Sequence, residues 1–232
     1  MNCLKRLLCE ISRGEIEKYI YDIAKETSHV NANKHLATIK KVFKLATRKN
    51  AIVENVSADI KGLKEKQRNT FLFPVELDKL VSASRSTRAK YYMPAIIFLS
   101  AEHGASKQEI LSLKWQDVQF ENGQGGLIRF FRTKNQRERT EGMMPRTREA
   151  LMKWKSHLEY KRQKIKTRKI KSDHVICRID GTPIKCFNKA WWSALKIAGI
   201  SGFHFHDLRH TFCSNLLMAG GDLKDAKEMI GH

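Results

Sequence analysis

The sequence of 232 residues lacks any uninterrupted apolar run as long as a membrane-spanning helix requires, which is about 18 residues. Its opening stretch, MNCLKRLLCEISRGE, also has too short an apolar run to form a secretory signal peptide. Both absences exclude a membrane protein and a secreted protein of the usual kind. We therefore expect the chain to be cytoplasmic.

Cysteine is scarce and scattered. The number of cysteines is odd, no two of them form a CxxC pair, and they stand at Cys3, Cys9, Cys177, Cys186 and Cys213. This spacing excludes a disulfide framework and offers neither a zinc motif nor a redox motif. We expect reduced thiols that serve packing, and we expect neither a metal nor a cofactor.

Acidic residues are too few to balance the basic ones. The chain has 44 Lys and Arg residues against 24 Asp and Glu residues, which gives a formal charge of +20 at pH 7. So large an excess costs stability through self-repulsion unless a polyanion binds the protein. The charge therefore predicts a nucleic acid partner. The hydrophobic content of 41% is enough for one core and a small helical satellite.

The first 60 residues contain two helical patterns. Ser12 and Glu15 have the spacing of a capping box, and a helix is predicted from about residue 13 to 25. A second helix is predicted to begin near Asn31 or Asn33, with one apolar side formed by Leu36, Ile39, Phe43 and Ala46. Its basic residues predict a face that contacts DNA phosphates, although each single cation also suits a solvated surface: Lys34, Lys41, Lys44 and Arg48.

The rest of the chain predicts helices around a small sheet. Residues 61–70 are polar and without a period, so they are predicted to form a linker. Helices are predicted from Pro74 onward and again from Thr147, Cys186, His206 and Asp222. Between them lie three short β-type segments, at about 117–120, 127–133 and 139–144. The predicted fold is mainly α with a small antiparallel sheet, in the α+β class.

The segment 203–232, FHFHDLRHTFCSNLLMAGGDLKDAKEMIGH, carries the clearest chemical signal. Its apolar residues recur about one turn apart and are predicted to face a core: Leu208, Phe212, Leu216 and Ala219. Three residues of the first turn are predicted to point elsewhere: His206, Arg209 and His210. Free N–H groups at a helix start, an arginine fork and a titratable imidazole together suit a phosphate group.

The string HDLRHTF, followed by a Gly-Gly turn and a terminal Ile-Gly-His, resembles the second and third signature boxes of the tyrosine recombinases, the phage integrase family. WWSALKIAGI, EILSLKW and the Thr133-Lys134 turn fall in the same order, so the resemblance covers nearly the whole chain. It implies part of a helical, SAM-like core-binding unit at 1–62, a linker at 63–72, and a catalytic domain without its C-terminal tail at 73–232.

The resemblance also implies a reaction without a metal. In the family, a tyrosine hydroxyl attacks DNA and leaves a 3′-phosphotyrosyl link and a free 5′-hydroxyl. By resemblance, Arg209 would hold the non-bridging oxygens, and His206 would act as acid or base. His232 would hydrogen-bond the phosphate, and Lys134 would protonate the leaving oxygen. The expected function is site-specific recombination and DNA integration, as in a mobile element.

Two departures from the family pattern predict impaired catalysis. The family's first arginine lies three residues before the Glu of a Glu-Leu or Glu-Ile pair, and counting back from Glu109 gives Ser106. Lys107 is adjacent but would point about 100° around the helix. The family's tyrosine follows the third box, whereas every tyrosine here precedes the second: Tyr19, Tyr21, Tyr91, Tyr92 and Tyr160. A broken reading frame, a decayed prophage gene or a trimmed sequence would each explain the missing tail. We expect that this chain alone is inactive and that recovery needs both an arginine at position 106 and a tyrosine-bearing tail.

Two other readings stay open at this stage. The chain can be a non-catalytic DNA-binding module that occupies sites, or that associates with a full-length recombinase or with further copies of itself. His206, Asp207 and His210 also imitate the HExxH motif of zinc proteases, with His204 as a third ligand. Against a zinc site, Arg209 would place a positive charge beside the metal.

Overall fold

The computed structural model describes residues 7–65, 70–121, 125–132, 137–164, 172–222 and 224. The chain divides into two compact units, Met1–Arg68 and Asn69–His232. This division falls inside the predicted linker at 63–72, while the domain identities assigned to the two units stay predictions. Within the described residues, no helix combines the length and the apolar character that crossing a membrane requires.

The first unit consists of a short 3₁₀ turn at Leu8–Glu10 and two helices, α1 (Arg13–Glu26) and α2 (His29–Arg48). Ser12 caps α1 in the predicted capping box. The second helix begins earlier than predicted, because the Ser28 hydroxyl accepts the N–H of Asn31 at 3.2 Å and caps the helix there. The apolar sides of both helices form a small core with two later residues: Ile16, Ile20, Ala32, Leu36, Phe43, Ala46, Ile52 and Ile60.

Part of the predicted linker is fixed on the first unit. The Asn33 side-chain amide donates to the carbonyl of Leu63 at 2.8 Å and accepts its N–H at 2.7 Å. The His29 ring lies 2.8 Å from the carbonyl of Lys64. A polar side chain on the preceding helix therefore satisfies the backbone of residues that were assigned to the linker from their composition alone.

The second unit contains six helices within the residues described: α3 (Pro74–Ser84), α4 (Met93–His103), α5 (Lys107–Ser112), α6 (Pro145–Lys164), α7 (Asn188–Ala198) and α8 (Asp207–Met218). The last three begin within two residues of the predicted positions. The helix predicted from Asp222 falls largely outside the described residues, as does the end of the basic run 161–171.

Three short strands form an antiparallel sheet in the order β1 (Val118–Gln119), β2 (Leu127–Arg132) and β3 (Arg137–Gly142). The first strand is shorter than predicted because Trp115–Asp117 form a 3₁₀ turn. The third begins earlier than the predicted residue 139. The predicted class, mainly helical with a small antiparallel sheet, is confirmed.

The register of the sheet places charge beside the core. Phe130 and Ile128 are fully buried on β2, and their partners across the strands are Arg139 and Glu141 on β3. Because partners across an antiparallel pair share one face, both charged side chains point towards the core side of the sheet. Helix α4 is buried along nearly its whole length. It ends at Gly104, whose φ of 58° lets the chain turn into α5.

Candidate active site

The start of α8 is fixed by hydrogen bonds. The carboxylate of Asp207 accepts the backbone N–H of His204 at 2.7 Å. The Thr211 hydroxyl accepts the N–H of Leu72 at 3.0 Å and donates to the Asp207 carbonyl at 3.1 Å. His206 and His210 lie at the same helix start with exposed side chains, their ring centroids 5.9 Å apart. Hydrogen bonds thus fix the first turn of α8, and two imidazoles at this turn are exposed to solvent.

Arg209 is buried, with only 8% of its surface exposed, and this corrects the expectation that it points away from the core. Its Nη1 lies 3.3 Å from Oε2 of Glu109, whose side chain is 4% exposed. A buried carboxylate supplies the opposite charge that a guanidinium needs inside the protein. Ala219 departs from its prediction in the other direction: it is exposed and lies beyond the last residue of α8.

Ser106 lies next to the same carboxylate. It is the N-cap of α5: its hydroxyl accepts the N–H of Glu109 at 3.2 Å, and Oε2 of Glu109 accepts the N–H of Ser106 at 2.7 Å. The structure therefore brings together Arg209 and the position where the family pattern has its first arginine. At that position the serine side chain serves as a helix cap and carries no charge.

Lys107 does not take the place of the missing guanidinium. Its ammonium donates to the side-chain oxygen of Asn188 at 2.8 Å and lies 5.1 Å from the centre of the Phe187 ring. Both contacts hold the side chain against the segment that begins α7. This agrees with the expected turn of about 100° between adjacent helix positions.

A second guanidinium, which the sequence pattern did not single out, reaches Glu109 from the sheet. Nε of Arg139 lies 3.6 Å from Oε1 of Glu109, and Nη1 of Arg139 contacts Oε1 of Glu141. The Arg139 guanidinium also lies over the Phe130 ring, 4.5 Å from its centre. The available signal was the alternation of the strand, in which residues 139 and 141 fall on the face of its buried neighbours.

His103 extends this cluster at the end of α4. Its Nδ1 lies 3.0 Å from Oε2 of Glu141, and its Nε2 lies 3.5 Å from the N–H of Met144. Burial is the main reason why the pKa of His103 is lowered to about 4; the nearby Glu102 opposes this shift and Arg139 adds to it. The imidazole is therefore neutral at pH 7, and the contact with Glu141 is a hydrogen bond donated by Nδ1–H.

Six further residues were predicted for the site or for contact with DNA. Lys134 and His232 lie outside the described residues. The four cations of α2 belong to the first unit, where their side chains are exposed: Lys34, Lys41, Lys44 and Arg48. At 3.6 residues per turn they fall within an arc of about 80°, opposite the buried side of the helix. Among the described residues, no group of three or more His, Cys, Asp or Glu side chains could hold a metal ion.

The model of the phage integrase family matches residues 70–232. The tyrosine recombinase XerC of Lactobacillus leichmannii is 23% identical over 228 residues, which cover 96% of this chain and 75% of that protein.

Solved structures show the same fold. A lambda integrase dimer bound to a COC' core site aligns over 97% of this chain with a TM-score of 0.77 and 20% identity. The present chain spans 62% of that lambda integrase chain, less than two thirds of its length. The Tn1549 transposon integrase in complex with circular intermediate DNA gives a TM-score of 0.73 and 17% identity, over 98% of this chain and 79% of that one.

Proposed function

This chain belongs to the phage integrase family, and we propose that it binds double-stranded DNA and acts in site-specific recombination. The resemblance identified from the boxes around Arg209 and His232 is thereby confirmed at the level of the family. The observation that carries the proposal is the fixed guanidinium of Arg209. Arg209 lies in the first turn of α8, and its side chain pairs with Glu109 of α5. His206 is exposed at the same helix start. A helix start, a fixed guanidinium and an imidazole suit the oxygens of a phosphodiester.

The roles of the individual residues follow from their chemistry. Arg209 binds the non-bridging oxygens of the phosphate, because a guanidinium is always charged and can donate twice to one anion. His206 transfers protons at the phosphate, because imidazole titrates near neutral pH. Lys134, as donor to the leaving oxygen, and His232, as a hydrogen-bond donor to the phosphate, complete the proposed site by resemblance.

The basic face of α2 is proposed as a second DNA contact. Its four cations are exposed on one side of the helix, and the whole chain carries a formal charge of +20. Phosphate contacts of this kind add affinity and fix the register on DNA without reading its sequence. The lambda integrase relative was solved as a dimer on DNA, which supports assembly of this chain on DNA with a second copy or with a full-length recombinase.

We propose that strand cleavage by this chain is impaired, because Ser106 supplies no guanidinium. Loss of one donor to a developing oxyanion costs about 100-fold to 1,000-fold in rate, and loss of a full charge costs at least as much. The hydroxyl of Ser106 already accepts a backbone N–H as a helix cap. This observation favours the second candidate function, a DNA-binding module that occupies recombination sites without cutting them.

Salt dependence of binding tests the primary proposal. Affinity of the full chain for a mixed-sequence duplex is measured by band shift at salt concentrations from about 50 to about 200 mM. Several phosphate contacts predict a loss of at least about 100-fold over this range. An affinity that is constant across the range contradicts the proposal.

Covalent trapping separates the two candidate functions. The chain is incubated with a pool of nicked duplexes of randomised sequence, and denaturing gels are used to detect protein linked to DNA. The DNA-binding module predicts shifted complexes and no covalent adduct. A phosphotyrosyl adduct of this chain would contradict the proposed impairment and favour an active recombinase.

A further inference from the structure

The carboxylate of Glu109 is shared by two arginines from different elements. Arg209 approaches Oε2 from α8 at 3.3 Å, and Arg139 approaches Oε1 from β3 at 3.6 Å. The backbone N–H of Ser106 also donates to Oε2, at 2.7 Å. With one guanidinium beside each oxygen, the carboxylate of Glu109 has little freedom to rotate. The orientation of Arg209 at Oε2 therefore depends on Arg139, which contacts Oε1.

The position of Arg139 is itself well determined. Its side chain is 14% exposed and lies over the ring of its cross-strand partner Phe130. Its Nη1 contacts the carboxylate of Glu141, two residues along the same strand and on the same face. An aromatic ring on one side and carboxylates on the others fix a guanidinium that would otherwise adopt many rotamers.

The charges of the cluster give Arg139 a second effect on Arg209. Arg139, Arg209, Glu109 and Glu141 carry two positive and two negative charges. Without Arg139, the two carboxylates would outnumber the remaining guanidinium in a largely dry environment, where charge interactions are strong. Arg209 would then be drawn to the excess carboxylate, and an incoming phosphate would be repelled.

We propose that Arg139 is a positioning residue for Arg209: it holds and neutralises Glu109 from the sheet side, so that Arg209 remains available to a DNA phosphate. The inference rests on the proposed function of Arg209 as a phosphate ligand. It assigns Arg139 no contact with DNA. In this chain, where residue 106 is a serine, the second guanidinium at Glu109 comes from the third strand.

A double-mutant cycle between Arg139 and Arg209 tests this role. The affinity of R139M, R209M and R139M/R209M for a mixed-sequence duplex is measured by fluorescence anisotropy at several salt concentrations. R209M should lower the slope of log affinity against log salt by about 0.9, the value for one phosphate contact. R139M should produce the same loss, with about tenfold weaker binding at low salt, and the double variant should lose no more than R209M alone.

Two further variants separate positioning from general effects. R146M removes another partly exposed guanidinium of the same unit, which pairs with Asp78 and Glu102 instead, and it should leave the slope unchanged. R139K keeps the positive charge without the planar fork, and its loss should be smaller than that of R139M. Circular dichroism shows whether each variant is folded. If R139M does not fold, R139K and R139K/R209M form the cycle.

Three results contradict this inference without contradicting the proposed function. An unchanged slope in folded R139M excludes a role for Arg139 in phosphate binding. A double variant that loses about twice the slope of R209M shows that Arg139 contacts DNA by itself. An equal loss in R146M shows a general effect of charge. A wild-type chain whose binding does not depend on salt contradicts the proposed function itself, and with it this role.

Discussion

In the second unit, the guanidiniums of Arg139 and Arg209 are buried against carboxylates, whereas in the first unit the four cations of α2 are exposed to solvent. Buried charges interact strongly and are screened little by salt, but they are costly to leave without a partner. Exposed charges contribute little to stability and respond strongly to salt. The first arrangement orients one side chain, and the second adds attraction over a whole helix face.

The largest expected change in stability comes from removing the negative charge at the centre of the buried cluster. Glu109→Gln keeps the shape of the side chain but leaves two buried guanidiniums without their shared carboxylate. We expect it to destabilise the second unit by about 3 kcal/mol. Urea unfolding followed by tryptophan fluorescence measures this unit alone, because every tryptophan lies within it: Trp115, Trp154, Trp191 and Trp192.

Helix α6 provides the matched control for this variant. Glu149 pairs with Lys153 on the surface, with both side chains more than half exposed. Glu149→Gln should change the free energy of unfolding by less than about 0.5 kcal/mol. Similar losses in both variants would show that the burial of Glu109 has no special effect on stability.

The buried His103 should make the stability of the second unit depend on pH. Burial lowers its pKa from 6.5 to about 4, so the unfolded chain binds this proton more readily than the folded chain does. The contribution to stability is therefore complete above about pH 6.5 and is lost as the pH falls towards about 4, by up to about 1.4 kcal/mol per pH unit. Urea unfolding at a series of pH values, again followed by tryptophan fluorescence, measures this loss.

Replacement of the titrating ring isolates the contribution of His103. His103→Gln should flatten the dependence between about pH 6.5 and about pH 4. His204→Gln removes an exposed imidazole of the same unit and should retain it. Equal pH dependence in wild type and His103→Gln would assign the loss to other groups.

Substitution of Ser106 tests the helix cap beside the cluster and should change the free energy of unfolding less. Its hydroxyl accepts the N–H of Glu109 at 3.2 Å. Ser106→Ala should cost about 1 kcal/mol of stability in the second unit, while Ser106→Gly should cost only a few tenths. The same urea experiment measures both. If alanine and glycine are equally tolerated, the hydroxyl makes no contribution as a cap.

Local signals in the sequence were sufficient for much of the fold. Ser12 with Glu15 predicted the start of α1, and the alternation of the short segments predicted a small antiparallel sheet. Ser28 was overlooked, so α2 was placed too late. Composition marked residues 61–70 as a linker, but it does not show that the Asn33 side chain binds the backbone of Leu63. Contacts over 30 residues of separation have no local signature.

The candidate site was only partly predictable for the same reason. The motif identified Arg209 and the counting rule identified Ser106, but neither shows that both meet at Glu109. Arg139 looked like an ordinary strand residue in a basic protein. Its role depends on the register that pairs it with Phe130 and on the packing of β3 beside α5. A charged residue at an inward strand position was the one local sign that could have been noticed.

The smallest effect on stability, and the sharpest test of the contrast, comes from the exposed face of α2. Lys34→Gln, Lys41→Gln and their combination should change the unfolding free energy by less than about 0.5 kcal/mol, measured by far-ultraviolet circular dichroism in urea. Each cation that contacts a phosphate should lower the slope of log DNA affinity against log salt by about 0.9. Lys18→Gln, which removes an exposed cation from α1, should leave the slope unchanged. Loss of stability without loss of slope would mean that these lysines serve packing, and the two units would then not differ in how they use positive charge.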